Sequence, residues 1–186
     1  SILKMNCINL SGKLLKNNYY INLIAKNSEC LLNGLCIINK NNHVDSFIEI
    51  VHNNKYSMSN LNYKIIAHDN SCGILYAKSI INKSSSNCEA HQKNNNLILS
   101  DKAKIHANPQ LEIYNDEVQC SHSSSTGAME KENIYYMRTR GINEEDAKIL
   151  LLNGFINSIT NKISDIKSKN NINRKINNYI QNVNSF

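Results

Sequence analysis

The chain has 186 residues with 21 Lys+Arg against 15 Asp+Glu, a net charge of +6, and 41% hydrophobic but only 19% charged residues. That balance supports a buried core and excludes a charge-dominated disordered chain. One proline and six glycines exclude collagen-like and Pro-rich architectures, and no apolar run reaches the eighteen residues of a membrane-spanning helix. Asparagine occurs 34 times and isoleucine 26 times, the signature of an A/T-rich coding sequence. Asn tolerates positive φ, so a fold with many tight turns would absorb such a bias at low cost. Ser1–Leu10 lacks the basic-then-apolar order of a signal peptide, and the chain reads as a piece of a longer protein. No basic stripe with interleaved aromatics is present, which argues against a nucleic-acid partner.

Two regimes follow each other. Up to about Ser125, short apolar runs are broken by Asn, Asp, Gly or Ser. They are Tyr20–Ile24, Leu31–Ile38, Phe47–Val51, Tyr63–Ala67, Ile74–Ala77, Leu97–Leu99, Lys104–His106, Leu111–Tyr114 and Val118–Cys120. Runs of about four residues every ten or so, bounded by turn formers, predict many short strands. Ile48 with Ile50, Leu111 with Ile113 and Val118 with Cys120 alternate as half-buried strands do. The spacing suits a sandwich, a barrel or a solenoid, and the three close units between Leu97 and His122 tilt the reading towards stacked solenoid rungs. Leu111, Ile113 and Val118 are expected inside.

After Gly127 the rhythm becomes helical. Met129–Arg140 predicts a helix ending at Gly141, a natural C′ residue. Asn143 followed by Glu144, Glu145 and Asp146 predicts a capped start. Ala147, Leu150, Leu151, Phe155, Ile159, Ile163 and Ile166 form a 3.6-residue stripe. Asn170–Phe186 predicts a weaker last helix or a frayed end. The expected organisation is therefore a β-region over 1–127 and a helical domain over 128–186.

The six cysteines, at 7, 30, 36, 72, 88 and 120, contain no CxxC pair and read mostly as reduced, buried thiols. Cys72 and Cys88 are expected in the core. His43, His52, His68 and His91 are expected at the surface near strand ends, and His106 facing solvent or bonded to a turn. Cys120 and His122 lie two apart, so in an extended segment they share a face and could address one metal or one persulfide sulfur. Read from the residues alone, Cys120 filling a rung interior and His122 capping a turn is the better account. There is no GxxxxGK[ST] motif, so ATP hydrolysis is not expected of this chain.

Four spaced blocks then carry a resemblance. Asn96-Leu97-Ile98-Leu99-Ser100-Asp101-Lys102-Ala103 precedes Pro109-Gln110-Leu111-Glu112-Ile113-Tyr114. Next come Asp116-Glu117-Val118-Gln119-Cys120-Ser121-His122 and Tyr136-Met137-Arg138-Thr139-Arg140-Gly141-Ile142. In this order they resemble the C-terminal half of the SufD branch of the SufB/SufD family, subunits of the SUF iron–sulfur cluster assembly machinery. Ala103 stands where SufB-type chains usually carry cysteine, which favours the SufD branch. Ser123-Ser124-Ser125 departs from the glycine common after the histidine in that family.

The resemblance implies a mainly β fold with α: a right-handed parallel β-helix (solenoid) core followed by a C-terminal helical domain. It implies a non-catalytic scaffold subunit that pairs with SufB through the β-helix and docks the SufC ATPase through the helices. A nascent Fe–S cluster would form at the SufB–SufD interface. It turns the odds towards His122 as a cluster ligand, and more weakly towards Cys120, with Arg138 and Arg140 as candidate ATPase contacts. A cluster takes four ligands, so no cofactor is expected in this chain by itself. A structural scaffold that donates no ligand is the alternative. Homodimerisation of the fragment is a further expectation. The compartment implied is a plastid stroma of the apicoplast type, or a bacterial or endosymbiont cytoplasm.

Overall fold

A computed structural model describes residues 1–10 and 12–182. Nine strands come first: β1 (Ile2–Asn9), β2 (Leu14–Leu23), β3 (Glu29–Ile38), β4 (His43–His52), β5 (Met58–Ala67), β6 (Cys72–Ile81), β7 (Cys88–Ile98), β8 (Lys104–Ile113) and β9 (Val118–Ala128). Three helices follow: α1 (Lys131–Thr139), α2 (Glu144–Thr160) and α3 (Ile166–Asn182). Odd strands form one sheet in the order β1-β3-β5-β7-β9, and even strands form a second in the order β2-β4-β6-β8. Every pairing is parallel. The chain therefore winds between two sheets as a β-solenoid of about four turns, as expected.

Alternation builds the interior. In β4 the inward residues Val44, Ser46, Ile48, Ile50 and His52 are buried, while those between them are half-exposed. They meet Leu32, Leu61, Tyr63, Ile65 and Leu75 in the main core between the sheets. The C-terminal halves of β3 and β5 break this pattern: Leu35–Ile38 and Lys64–Ala67 are buried on both faces. Their outer face is covered by Leu152, Ile156, Ile159 and Ile176 of α2 and α3, which form a second core with Leu35, Ile37, Ile66 and Leu97. Strands covered on both sides read as continuous apolar runs, as Leu35–Ile38 does in the sequence. Gly34 of β3 lies under the ring of Tyr63, its partner in β5, and a methyl group there would sit 2.1 Å from Cδ2.

The strands are longer than their apolar runs. Leu97 and Ile98 are only the end of β7, whose Gln92–Asn96 segment is polar yet extended. Lys104–His106 and Leu111–Ile113 are the two ends of β8, which continues through Pro109. Proline is tolerated there because β8 is an edge strand. Ile113 is 45% exposed, contrary to its expected place inside, because no further rung covers the end of the solenoid. The expected turn role of asparagine is filled only in part. Among the described non-glycine residues, positive φ occurs at Asn27, Lys40, Tyr56, Asp69 and Asn87, all at corners. Other asparagines stack between rungs instead: Asn33 donates to Asn6 at 3.2 Å, and Asn82 donates to Asn53 at 2.5 Å.

In the helices, Gly141 has φ +86° just beyond α1, and the Asn143 side chain accepts from the Asp146 N–H at 2.9 Å. Both match the expected caps. The stripe does not run as expected. The chain turns after Thr160 instead of continuing to Ile166, and the buried face is Ala147, Leu152, Ile156 and Ile159. Leu150 and Ile166 are exposed, at 49% and 72%. The last expected helix is α3, and residues 183–186 lie outside the described residues.

Candidate functional site at the last rung

β9 is the terminal strand of the five-stranded sheet and, among the described residues, pairs only with β7. Its two faces are fixed by cross-rung bonds. Outward, His91 Nδ1 meets Ser121 Oγ at 2.8 Å and Asn95 donates to Ser125 at 2.6 Å. Inward, Ser124 donates to Asn94 at 3.2 Å and Asn96 donates to Thr126 at 3.0 Å. Cys120 and His122 have the inward parity, so they occupy one face of one strand.

Their surroundings differ. Cys120 stacks on Ala90 and packs with Ile81, Cys88, Ala90 and Val118. Burial pushes its thiol pKa up, a backbone hydrogen bond at Ala90 works against that, and Cys88 adds to the rise. A raised pKa disfavours the thiolate that binds metal. His122 is exposed and stacks on Gln92. Together they offer one sulfur and one imidazole nitrogen, donors suited to iron and sulfide but too few for a cluster. Among the described residues, no three His, Cys, Asp or Glu side chains converge as a metal site.

The interior changes character towards this end. One column of inward residues reads Leu32, Leu61, Gln92, His122, and the next reads Gly34, Tyr63, Asn94, Ser124. Gln92, Asn94 and Asn96 are each at least 95% buried. Asn94 donates to the Tyr63 carbonyl at 2.9 Å, and Asn96 Oδ1 accepts from the Ile65 N–H at 3.1 Å. Gln92 Nε2 donates to Ser79 Oγ at 2.7 Å and to the Gln110 carbonyl at 3.2 Å. Gln92 and Asn94 were not singled out in the sequence, and Asn96 only as the start of a family-like block, because the Gln-Lys-Asn-Asn-Asn run carries no apolar alternation.

Two imidazoles expected at the surface are buried instead. His68 is 9% exposed, beside Asp69. His52 is fully buried, its two ring nitrogens 2.8 Å from Ser57 and Ser59. Burial holds its pKa down to about 4. Its inward position in β4, two residues after Ile50, was the available signal. Cys88 is buried as expected, Cys72 is half-buried, and His106 faces solvent.

Arg138 and Arg140 lie at and just beyond the end of α1, where Ala128 at the far end of β9 lines the same cleft as Arg138. Arg138 reaches Glu144 at 3.7 Å and borders a cleft of about 700 Å³ that Ile98, Asp101, Tyr135 and Lys148 also line. Arg140 lies over the ring of Tyr136, 5.3 Å from its centre, and donates to its hydroxyl at 3.3 Å. Tyr135, Tyr136, Ile149 and Leu150 leave an exposed apolar surface on α1 and α2.

The family model for the SUF system FeS cluster assembly SufBD core domain matches residues 1–155. The chain belongs to the SufBD core family. It is 31% identical over 156 residues to the iron–sulfur cluster assembly protein SufD of Escherichia coli K12, covering 84% of this chain and 37% of that protein. It is 29% identical to an iron–sulfur cluster assembly SufBD family protein of Synechocystis, covering 84% of this chain and 34% of the other. A third relative is the protein ABCI7, chloroplastic, of Arabidopsis thaliana, 24% identical over 83% of this chain and 33% of its own length. The chain thus spans about a third of the length of these relatives. The match takes in all of the solenoid, α1 and most of α2, and leaves α3 outside it. Ala103, the position that favours the SufD branch, is 7% exposed in the main core.

Proposed function

We propose that this chain is the end of the solenoid and the helical part of a SufD-type scaffold subunit in iron–sulfur cluster assembly. It would pair with a SufB-type partner through the last rung, dock the SufC ATPase on its helices, and hydrolyse nothing itself. His122, with Cys120, would supply this subunit's share of the ligands to a nascent cluster, which is the cargo of the complex. The observation that carries this reading is that Cys120 and His122 share one face of β9, a strand with one unpaired edge. A bare parallel edge is a ready surface for a second chain. Two donors cannot hold a cluster, so the partner or exogenous thiol and sulfide must complete it.

ATPase docking is supported by the exposed Tyr135, Tyr136, Ile149 and Leu150, with Arg138 and Arg140 beside them. The bacterial and chloroplastic relatives are consistent with a bacterial cytoplasm or a plastid as the compartment.

The packing of Cys120 against Cys88 and Ala90 favours a second reading, a scaffold that donates no ligand. The test is His122→Ala in the full-length protein assembled with its SufB- and SufC-type partners. Iron, sulfide and absorption spectra should report loss of the cluster while assembly and ATPase binding persist. Wild-type cluster content in that variant would establish the scaffold reading instead.

A further inference from the structure

Gln92 is 4% exposed, and its amide is oriented by its two donated bonds, to Ser79 Oγ at 2.7 Å and to the Gln110 carbonyl at 3.2 Å. Both amide hydrogens are therefore committed. Its carbonyl oxygen, Oε1, is buried without a hydrogen-bond partner among the described residues. Buried acceptors are rarely left so, and each one calls for a reason. The neighbours in the same rung satisfy theirs: Asn94 and Asn96 bond each other and reach across to Ser124 and Thr126 of β9. The residue that β9 stacks on Gln92 is His122. Each inward residue of β7 from Gln92 to Asn96 thus faces a polar residue of β9, and at Gln92 an acceptor faces an imidazole with a hydrogen to give.

We infer that Gln92 is a positioning residue for His122, its Oε1 accepting the hydrogen of one ring nitrogen so that the other is presented to the cluster. This rests on the reading of His122 as a ligand. A histidine ligand generally gives its second ring N–H to a carbonyl or carboxylate, which fixes both tautomer and ring orientation, and losing that partner typically costs roughly ten- to a hundredfold in metal affinity. Glutamine suits the place because its amide hydrogens lock the side chain on β6 and β8 while the oxygen remains for the ring.

The test uses the full-length protein in its assembled complex. Gln92→Met should lower cluster retention against a chelator by roughly ten- to a hundredfold. Gln92→Glu keeps an acceptor for His122, and the Ser79 hydroxyl can donate to its other oxygen and hold it in place, so it should stay within a few-fold of wild type. A purely structural Gln92 makes Glu as damaging as Met, and that result would overturn the assignment. Nitrogen-15 spectra of the histidine-labelled, cluster-free complex give a second readout, with His122 assigned by difference from His122→Ala. Wild type should show a single His122 tautomer, and Gln92→Met a mixture; a single tautomer in both sinks the idea. If Gln92→Met fails to assemble, Ser79→Ala frees the amide while keeping the residue, and it must then give the mixture. Cluster retained in His122→Ala would instead remove the ligand reading, while the cluster-free spectra would still decide whether the Gln92–His122 bond forms.

Discussion

Gly34→Ala is the most direct perturbation of how the rungs stack. The added Cβ would lie 2.1 Å from Tyr63 Cδ2, 2.2 Å from Cε2 and 2.9 Å from Cγ. No rotation about the ring axis clears three ring atoms, so the ring must shift by more than an ångström. Tyr63 is fully buried and its hydroxyl is 3.0 Å from Ser46 Oγ, so a shift breaks that bond inside the core. Overpacking costs about 1–3 kcal/mol, and stranding a buried hydroxyl adds about 1–3 kcal/mol. Alanine's better strand propensity offsets about 0.5–1 kcal/mol. The expected net loss is about 2–4 kcal/mol, which for a chain of this size lowers Tm by roughly 5–15 °C. Thermal and urea unfolding of the variant measure it, and repeating them in a Tyr63→Leu background isolates the ring. There the cost of alanine should drop below about 1 kcal/mol. An undiminished cost in that background, or a Gly34→Ala protein melting with wild type, would refute the stacking argument.

His52 gives a pH dependence of definite sign. Its folded pKa of about 4 lies below the ordinary 6.5, so the unfolded chain takes up the proton first as pH falls. Stability is complete above about 6.5 and declines towards 4, by about 1.4 kcal/mol per pH unit within that window. Urea midpoints from pH 7 to 4.5 should fall more steeply for wild type than for His52→Gln, and equal slopes would contradict the assignment. Ile149→Asp with Leu150→Asp, on the exposed face of α2, should abolish co-purification of the ATPase while moving Tm by no more than a degree or two. Retained ATPase would place the docking surface elsewhere. The chain should also self-associate through its bare terminal strands, and sedimentation showing a strict monomer at high concentration would count against this.

What the sequence disclosed depended on the range over which each signal acts. The caps at Gly141 and Asn143 are local chemistry and stood where expected. Ile48, Ile50 and Leu35–Ile38 were legible because burial on one or both faces leaves a pattern in a single strand. Gln92, Asn94 and Asn96 were not, because what makes them strand residues lies far along the chain, 13 positions away in Ser79 and 30 in Ser124 and Thr126. His52 was misplaced for a similar reason: Ser57 and Ser59 satisfy its ring across a corner. The face of α2 was misjudged because Leu150 and Leu152 are equally apolar, and only the sheet behind the helix selects Leu152. For the site, the Cys120–His122 spacing was visible in the sequence. The exposure of the imidazole and the packing of the thiol were set by the missing next rung.

The helices are fastened to the solenoid by more than apolar contact. Lys64 of β5 donates its ammonium to the carbonyl of Phe155 in α2 at 3.1 Å and lies over the same residue's ring at 3.8 Å. Tyr179 of α3 donates to Asn39 at the corner after β3, at 2.7 Å. A partner pulling on α2 or α3 would therefore act on a stiff lever and not on a tether. Its load would enter the sheet at β3, β5 and β7, and β7 shares every one of its remaining backbone bonds with β9. Close-packed interiors deform little under such a load, so the motion would reach the last rung largely undiminished. Lys64→Met or Tyr179→Phe would each remove one of these polar fastenings, and the shared apolar core would continue to hold the helices on the sheet.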